Sequence, residues 1–151
     1  MNFNLSTISK PLLWLSILLF VAFYPMLISI YVFLPLLIGA ISYILIQGIE
    51  RGNLAVVLIA IVYMINLEVN LSLPLFFILI ITLLFYVVIY PSFTHFRKCR
   101  ICKPLLSVIF LDLLYLGSLF AFDFIFQTKS IFLDTILLYS LIVDMLIVMI
   151  L

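Results

Sequence analysis

The sequence predicts an all-α protein, a polytopic bundle of about six transmembrane helices that forms one integral membrane domain over residues 1–151. Three observations lead there. The 151 residues are 69% hydrophobic and 9% charged, whereas an average soluble domain is about 45–50% apolar and about 25% charged. A chain of this size in water still exposes roughly a third of its surface, so hydrocarbon must cover the excess. Charges are also absent from Pro11 to Gln47, from Gly52 to Leu67 and from Val69 to Thr94, and about 20 helical residues cross a bilayer core. Finally, the about 10-residue alternation of a lipid-facing barrel is missing. Backbone groups in lipid must pair within their own segment, so these Ile-, Val- and Phe-rich runs read as helices.

The first span is expected at about 11–29, with Pro11 at a helix start where its missing N–H is harmless. It continues past the length of a signal-peptide core and leads into no polar mature domain, so it reads as a retained helix. The second runs at about 35–49, from Pro35 to the polar break "QGIERGN". The third, about 52–67, ends in "LEVNLSLP", where Glu68, Asn70, Ser72 and Pro74 signal a polar turn. The fourth covers about 75–90, the fifth about 104–126, and the sixth about 131–151 after "QTKS". Pro25 and Pro35 are expected to shape the ends and bends of the first two helices. Gly39 and Ser42 are small enough to let helices approach closely, and Trp14, Tyr24, Tyr31 and Tyr90 fit interface anchors.

Orientation follows from the placement of Lys and Arg. With both termini inside, the cytoplasmic face receives Lys10, Arg51, Arg97, Lys98, Arg100 and Lys103, leaving Lys129 outside. The loop "PSFTHFRKCRICKP" is then cytoplasmic. Its Arg97, Lys98, Arg100 and Lys103 read as a topology-fixing patch at the anionic inner leaflet, with docking of a cytoplasmic partner as the alternative. His95, Cys99 and Cys102 supply three ligands where structural zinc normally takes four, so no metal is expected. On the cytoplasmic side both thiols are expected to be reduced. A net charge of +1 gives no reason to expect a nucleic-acid partner.

Ionisable residues within spans are costly in lipid and carry the stronger functional signal. Asp112 lies about 12 Å into the fifth helix and Asp144 about 10 Å from the same side in the sixth, so antiparallel neighbours bring them level. Two level aspartates are expected to share a proton rather than both ionise. Asp112, Tyr115 and Asp123 fall on one helix face, which should look into the bundle or a partner. Three roles fit: an ion or proton contact, a polar lock to a partner helix, or plain interhelical hydrogen bonding. Asp123, Asp134 and Glu68 belong to the outer interface. No phosphate-binding glycine loop, nucleophile–base arrangement, haem motif or long repeat stands out, so neither enzymatic activity nor a cofactor is expected.

The order of features resembles one family. A first span is followed by "VFLPLLIGAISYILIQGIERGN", then "LIAIVYMINLEVNLSLPLFFILIITLLFYVVIYPSF", a basic loop, and a hairpin whose first helix carries an early aspartate. Over roughly 11–126 this is similar to the rod-shape-determining membrane protein MreD. Where that family places an aspartate near the end of its third helix, this chain offers Tyr63 and Glu68. The resemblance implies a six-helix fold and a non-enzymatic scaffold of a bacterial cell-envelope assembly. Its implied partners are an MreC-like protein and wall-synthesis proteins, besides the lipid bilayer. Two other roles suit the same pattern: a small transporter or solute-binding component using Asp112 and Asp144, and an accessory subunit of a secretion or motility complex.

Overall fold

A computed structural model describes the backbone of residues 5–31, 33–96, 101–127 and 133–150, and none of these residues forms a strand. Six helices carry the described chain: α1 (Leu5–Ile30), α2 (Ile38–Arg51), α3 (Leu54–Asn70), α4 (Phe77–Leu84), α5 (Cys102–Phe126) and α6 (Leu133–Ile150). After α4 the same rod continues through a π-helical turn, Phe85–Ile89, and a 3-10 stretch, Tyr90–Phe96. The all-α expectation holds for the described residues. By length and composition, two of their helical segments could cross a membrane, Lys10–Ile30 and Cys102–Phe126.

Helix α2 is the hub. It spans only 14 residues, yet it packs against α3, α4, α5 and α6. Its buried Gly39, Ala40 and Ser42 keep that crowded stretch slim. Helices α5 and α6 pack together on one side of it, and α1 leans on α3 at the periphery. Buried Leu36, Leu45, Tyr63, Met64, Leu67, Ile78 and Tyr115 join one apolar cluster. Outer faces are apolar too: α1 exposes Leu12, Leu15, Leu18, Phe23 and Ile30, and α5 exposes Leu113, Phe124 and Ile125. Against lipid such a bundle gains from close packing and interhelical hydrogen bonds rather than from expelling water.

Helix α1 departs from expectation. It begins at Leu5, so Pro11 lies inside it together with Pro25. A proline within a helix has no N–H to offer the carbonyl four residues back, which for Pro25 is that of Val21. Asn66 on α3 replaces the missing donor: its Nδ2 donates to the Val21 and Ala22 carbonyls, at 3.0 Å each. One polar side chain thus repairs the proline and ties α1 to α3.

The second helix also starts later than expected, at Ile38 instead of Pro35. The break falls at Leu37, whose left-handed geometry with φ 56° keeps regular helix from starting before Ile38. The approach to α2 is therefore irregular backbone inside the bundle, with Leu36 and Leu37 buried.

Candidate functional site: two buried helix starts

Every helix begins with N–H groups that have no partner within the helix. At the surface water or a Ser, Thr, Asp or Asn cap supplies one. Neither α2 nor α4 has such a cap, since the positions are Leu37 and Phe76, both left-handed. Both starts grow from matching sequence, "LPLLI" at 34–38 and "LPLFF" at 73–77. Acids from elsewhere in the chain close them.

At α4 the acid is Glu68. Its Oε2 accepts the Phe76 N–H at 2.6 Å and its Oε1 the Ile78 N–H at 2.7 Å. Both oxygens are used, and a carboxylate at a helix N-terminus also meets the positive end of the helix dipole. Glu68 is 1% exposed, so it is held inside the bundle. The turn after α3 is real, but Glu68 faces inward to hold it.

At α2 the acids are Asp144 and Asp112. Asp144 Oδ2 accepts the Gly39 N–H at 2.9 Å, across 105 residues of sequence. One turn back on α6, Ser140 Oγ accepts the Leu36 N–H at 3.1 Å. The carbonyls of the same segment are satisfied as well: Tyr24 donates to Pro35 at 2.9 Å and Tyr63 to Leu36 at 3.0 Å. Buried backbone polar groups need partners, and four side chains from α1, α3 and α6 supply them here. Tyr24 therefore points inward and is not an interface anchor. Tyr90 likewise is buried and donates to Glu50 Oε2 at 2.9 Å.

Asp112 presses on the same point from α5. A Cβ on Gly39 would lie 2.7 and 2.8 Å from the two Asp112 carboxylate oxygens. Only glycine lets the carboxylate come this close. Asp112 is 4% and Asp144 0% exposed, so neither reaches bulk water. One oxygen of each, Asp112 Oδ2 and Asp144 Oδ1, has no hydrogen-bond partner. Tyr115 is buried on the same α5 face as Asp112, as the spacing predicts, and its hydroxyl is also unpartnered.

Of the remaining predicted residues, Cys102, Lys103 and Asp123 are described with their side chains. Asp123 is half-buried further along α5. Asp134 lies in α6 with its side chain outside the described set, as does the side chain of His95. Arg97, Lys98, Cys99 and Arg100 fall outside the described residues altogether. Lys103 is described: it pairs with Glu50 at 3.8 Å and sits 4.4 Å over the Tyr90 ring. Cys102 is disulfide-bonded, whereas a cytoplasmic loop is expected to carry reduced thiols. A cavity of about 580 Å³ opens among Tyr43, Gln47, Arg51, Pro104 and Val148, and neither Asp112 nor Asp144 lines it.

The chain matches no protein-family model, no curated protein and no solved structure. What it does must be argued from its own geometry.

Proposed function

We propose that this chain is a six-span protein of the bacterial inner membrane, with both termini in the cytoplasm. We further propose that it acts without chemistry of its own, as a scaffold subunit of a cell-envelope assembly resembling the MreD component of the wall-elongation complex. The observation that carries the scaffold reading is where the acids go. Glu68, Asp112 and Asp144 are turned onto backbone N–H groups or glycine inside the bundle, while the outer faces of α1 and α5 present bare apolar side chains. Such a body is internally fastened and suited to contact lipid or partner helices. The distribution of Lys and Arg supports the orientation.

Affinity capture from mild detergent tests the role. Tagged protein at natural abundance should repeatedly bring down an MreC-like protein or a wall-synthesis enzyme, and repeated recovery of neither ends the reading. A reporter active only outside the cytoplasm should stay silent on either terminus. The Cys102 disulfide gives a sharper check of sidedness, since cytosolic thiols are kept reduced. Thiol alkylation in intact cells decides between the two: Cys102 found reduced supports the cytoplasmic loop, and a stable disulfide there would place the loop in an oxidising compartment.

The transporter reading has one observation in its favour, the two unpartnered carboxylate oxygens. It would require a solute cavity beside them, whereas the cavity described above lies among other residues. Solute flux abolished by Asp112→Asn in a protein that still assembles would move the reading to transport.

A further inference from the structure

The two helix starts differ by one ligand. At α4 two carboxylate oxygens meet two N–H donors, and nothing is left over. At α2 two carboxylates converge on Gly39, and one oxygen of each remains without a donor. An unpaired buried acceptor is costly, and an unpaired buried charge more so. The missing component must supply a donor, remove one negative charge and need almost no volume. Asp112 already fills the space that a Cβ on Gly39 would occupy. A metal ion such as Ca²⁺ takes six to eight oxygens, and this centre offers two free carboxylate oxygens. A proton meets all three demands.

We propose that Asp112 and Asp144 bind one proton between them, Asp112 Oδ2 to Asp144 Oδ1, and that this shared proton latches the start of α2 into the bundle. With it the pair carries one negative charge, held at the α2 N-terminus where the helix dipole favours an anion. Without it two like charges face each other in a dry site, and their repulsion works against the Asp144–Gly39 contact that anchors the segment on α6.

The surroundings leave this proton no rival partner among the described cations. Lys10 is exposed, Arg51 is exposed at the far end of α2, and Lys103 is paired with Glu50. The titratable groups facing the pair are phenols. Tyr24 from α1 and Tyr63 from α3 both donate to backbone carbonyls of Pro35 and Leu36. Tyr115 lies one turn along α5. From α4 the group that meets α2 is the Thr82 hydroxyl, paired with Ser42. On α6 the neighbour is Ser140, engaged by the Leu36 N–H.

The proposal goes beyond the scaffold reading and does not depend on which partner is captured. Its test is infrared spectroscopy of the full chain in phospholipid nanodiscs, following the carbonyl band of protonated carboxylic acids as pH is raised. Wild type should show one such band at neutral pH, and Asp112→Asn and Asp144→Asn should each abolish that same band. Two separate bands, each lost with its own variant, would mean that both acids are neutral and would overturn the proposal, as would no band at all. If either variant fails to fold, thermal unfolding of wild type decides. Its midpoint should fall as alkaline pH removes the proton and stay unmoved when sodium replaces N-methylglucamine. A midpoint independent of pH, or raised by sodium alone, would sink the proton latch.

Discussion

Leu34–Ile38 and Leu73–Phe77 lie 39 positions apart, and each reads Leu-Pro-Leu followed by two large apolar residues. Each places a left-handed residue immediately before a helix, Leu37 at φ 56° and Phe76 at φ 64°. That geometry costs a residue with a side chain about 1–2 kcal/mol, so both starts must be held by their surroundings. Glu68 holds α4 from eight and ten residues away, within the α3–α4 hairpin. Asp144 holds α2 from 105 residues away, and only once α6 has docked. The first start can form locally. The second requires α1, α3, α5 and α6 to gather around five residues. Similar local sequence thus yields one self-sufficient start and one that the whole bundle must complete.

Breaking the self-sufficient start should have the largest effect. Glu68→Ala leaves the Phe76 and Ile78 N–H groups without their acceptor, each a loss of about 1–3 kcal/mol. The protein should fail to accumulate or should melt far below wild type in detergent. Glu68→Gln keeps one acceptor oxygen but turns an amide N–H₂ toward the other donor, and should fall between. A melting point unchanged by Glu68→Ala would show that water reaches these N–H groups and that α4 does not start in a dry interior.

Gly39 probes the other start. Its new methyl group in Gly39→Ala must push the Asp112 carboxyl away from 2.7 Å, an overpacking cost of about 1–3 kcal/mol. Gly117 on α5 is the matched control, since nothing lies within 4 Å of an added Cβ there. Gly117→Ala should gain up to about 1 kcal/mol from helix propensity alone. Opposite shifts in the melting points of these two variants would isolate the α2 contact from any general response to glycine replacement. Shifts of the same sign would remove Gly39 from the site.

Tyr63→Phe should cost about 1–2 kcal/mol, because the Leu36 carbonyl is buried and has this phenol as its donor. Tyr24→Phe should cost less, as Tyr24 is only half-buried and its carbonyl partner is nearer the periphery. The order of the two melting points checks whether support for the α2 start deepens from α1 to α3.

Much of this was legible in the sequence. Charge-free runs located six helices to within several residues, and three-residue spacing put Asp112 and Tyr115 on one buried face. The broken start of α2 was not. A helix cap is read from the residue at the helix end, and here those residues are Leu37 and Phe76, which cap nothing. Their function has moved to acids elsewhere in the chain, so Glu68 looked like a turn residue and Asp144 only like a partner for Asp112. One signal was available: two Leu-Pro-Leu starts without a local cap, in a chain whose interior carries otherwise unexplained carboxylates. Matching uncapped starts to stray acids would have paired Glu68 with α4 by proximity. It could not have chosen Asp144 for α2, because that choice depends on α2 packing against α5 and α6.

The smallest expected effect tests whether the two starts communicate. Ser42 on α2 and Thr82 on α4 meet hydroxyl to hydroxyl at 3.0 Å, both buried. The Thr82 hydroxyl also reaches the Ile78 carbonyl at 2.7 Å, and the Ile78 N–H is one of the two held by Glu68. A chain of polar contacts therefore runs from the Glu68 start to the middle of α2. Thr82→Val keeps the shape and removes the hydroxyl, for a loss of about 0.5–1.5 kcal/mol. Ser42→Ala should cost a similar amount, and the double variant less than the sum of the two, since each single change breaks the same contact. Additive losses would mean that each hydroxyl acts only within its own helix. The α2 start could then loosen without disturbing α4, and a latch acting at Asp112 and Asp144 would move one helix and not the pair.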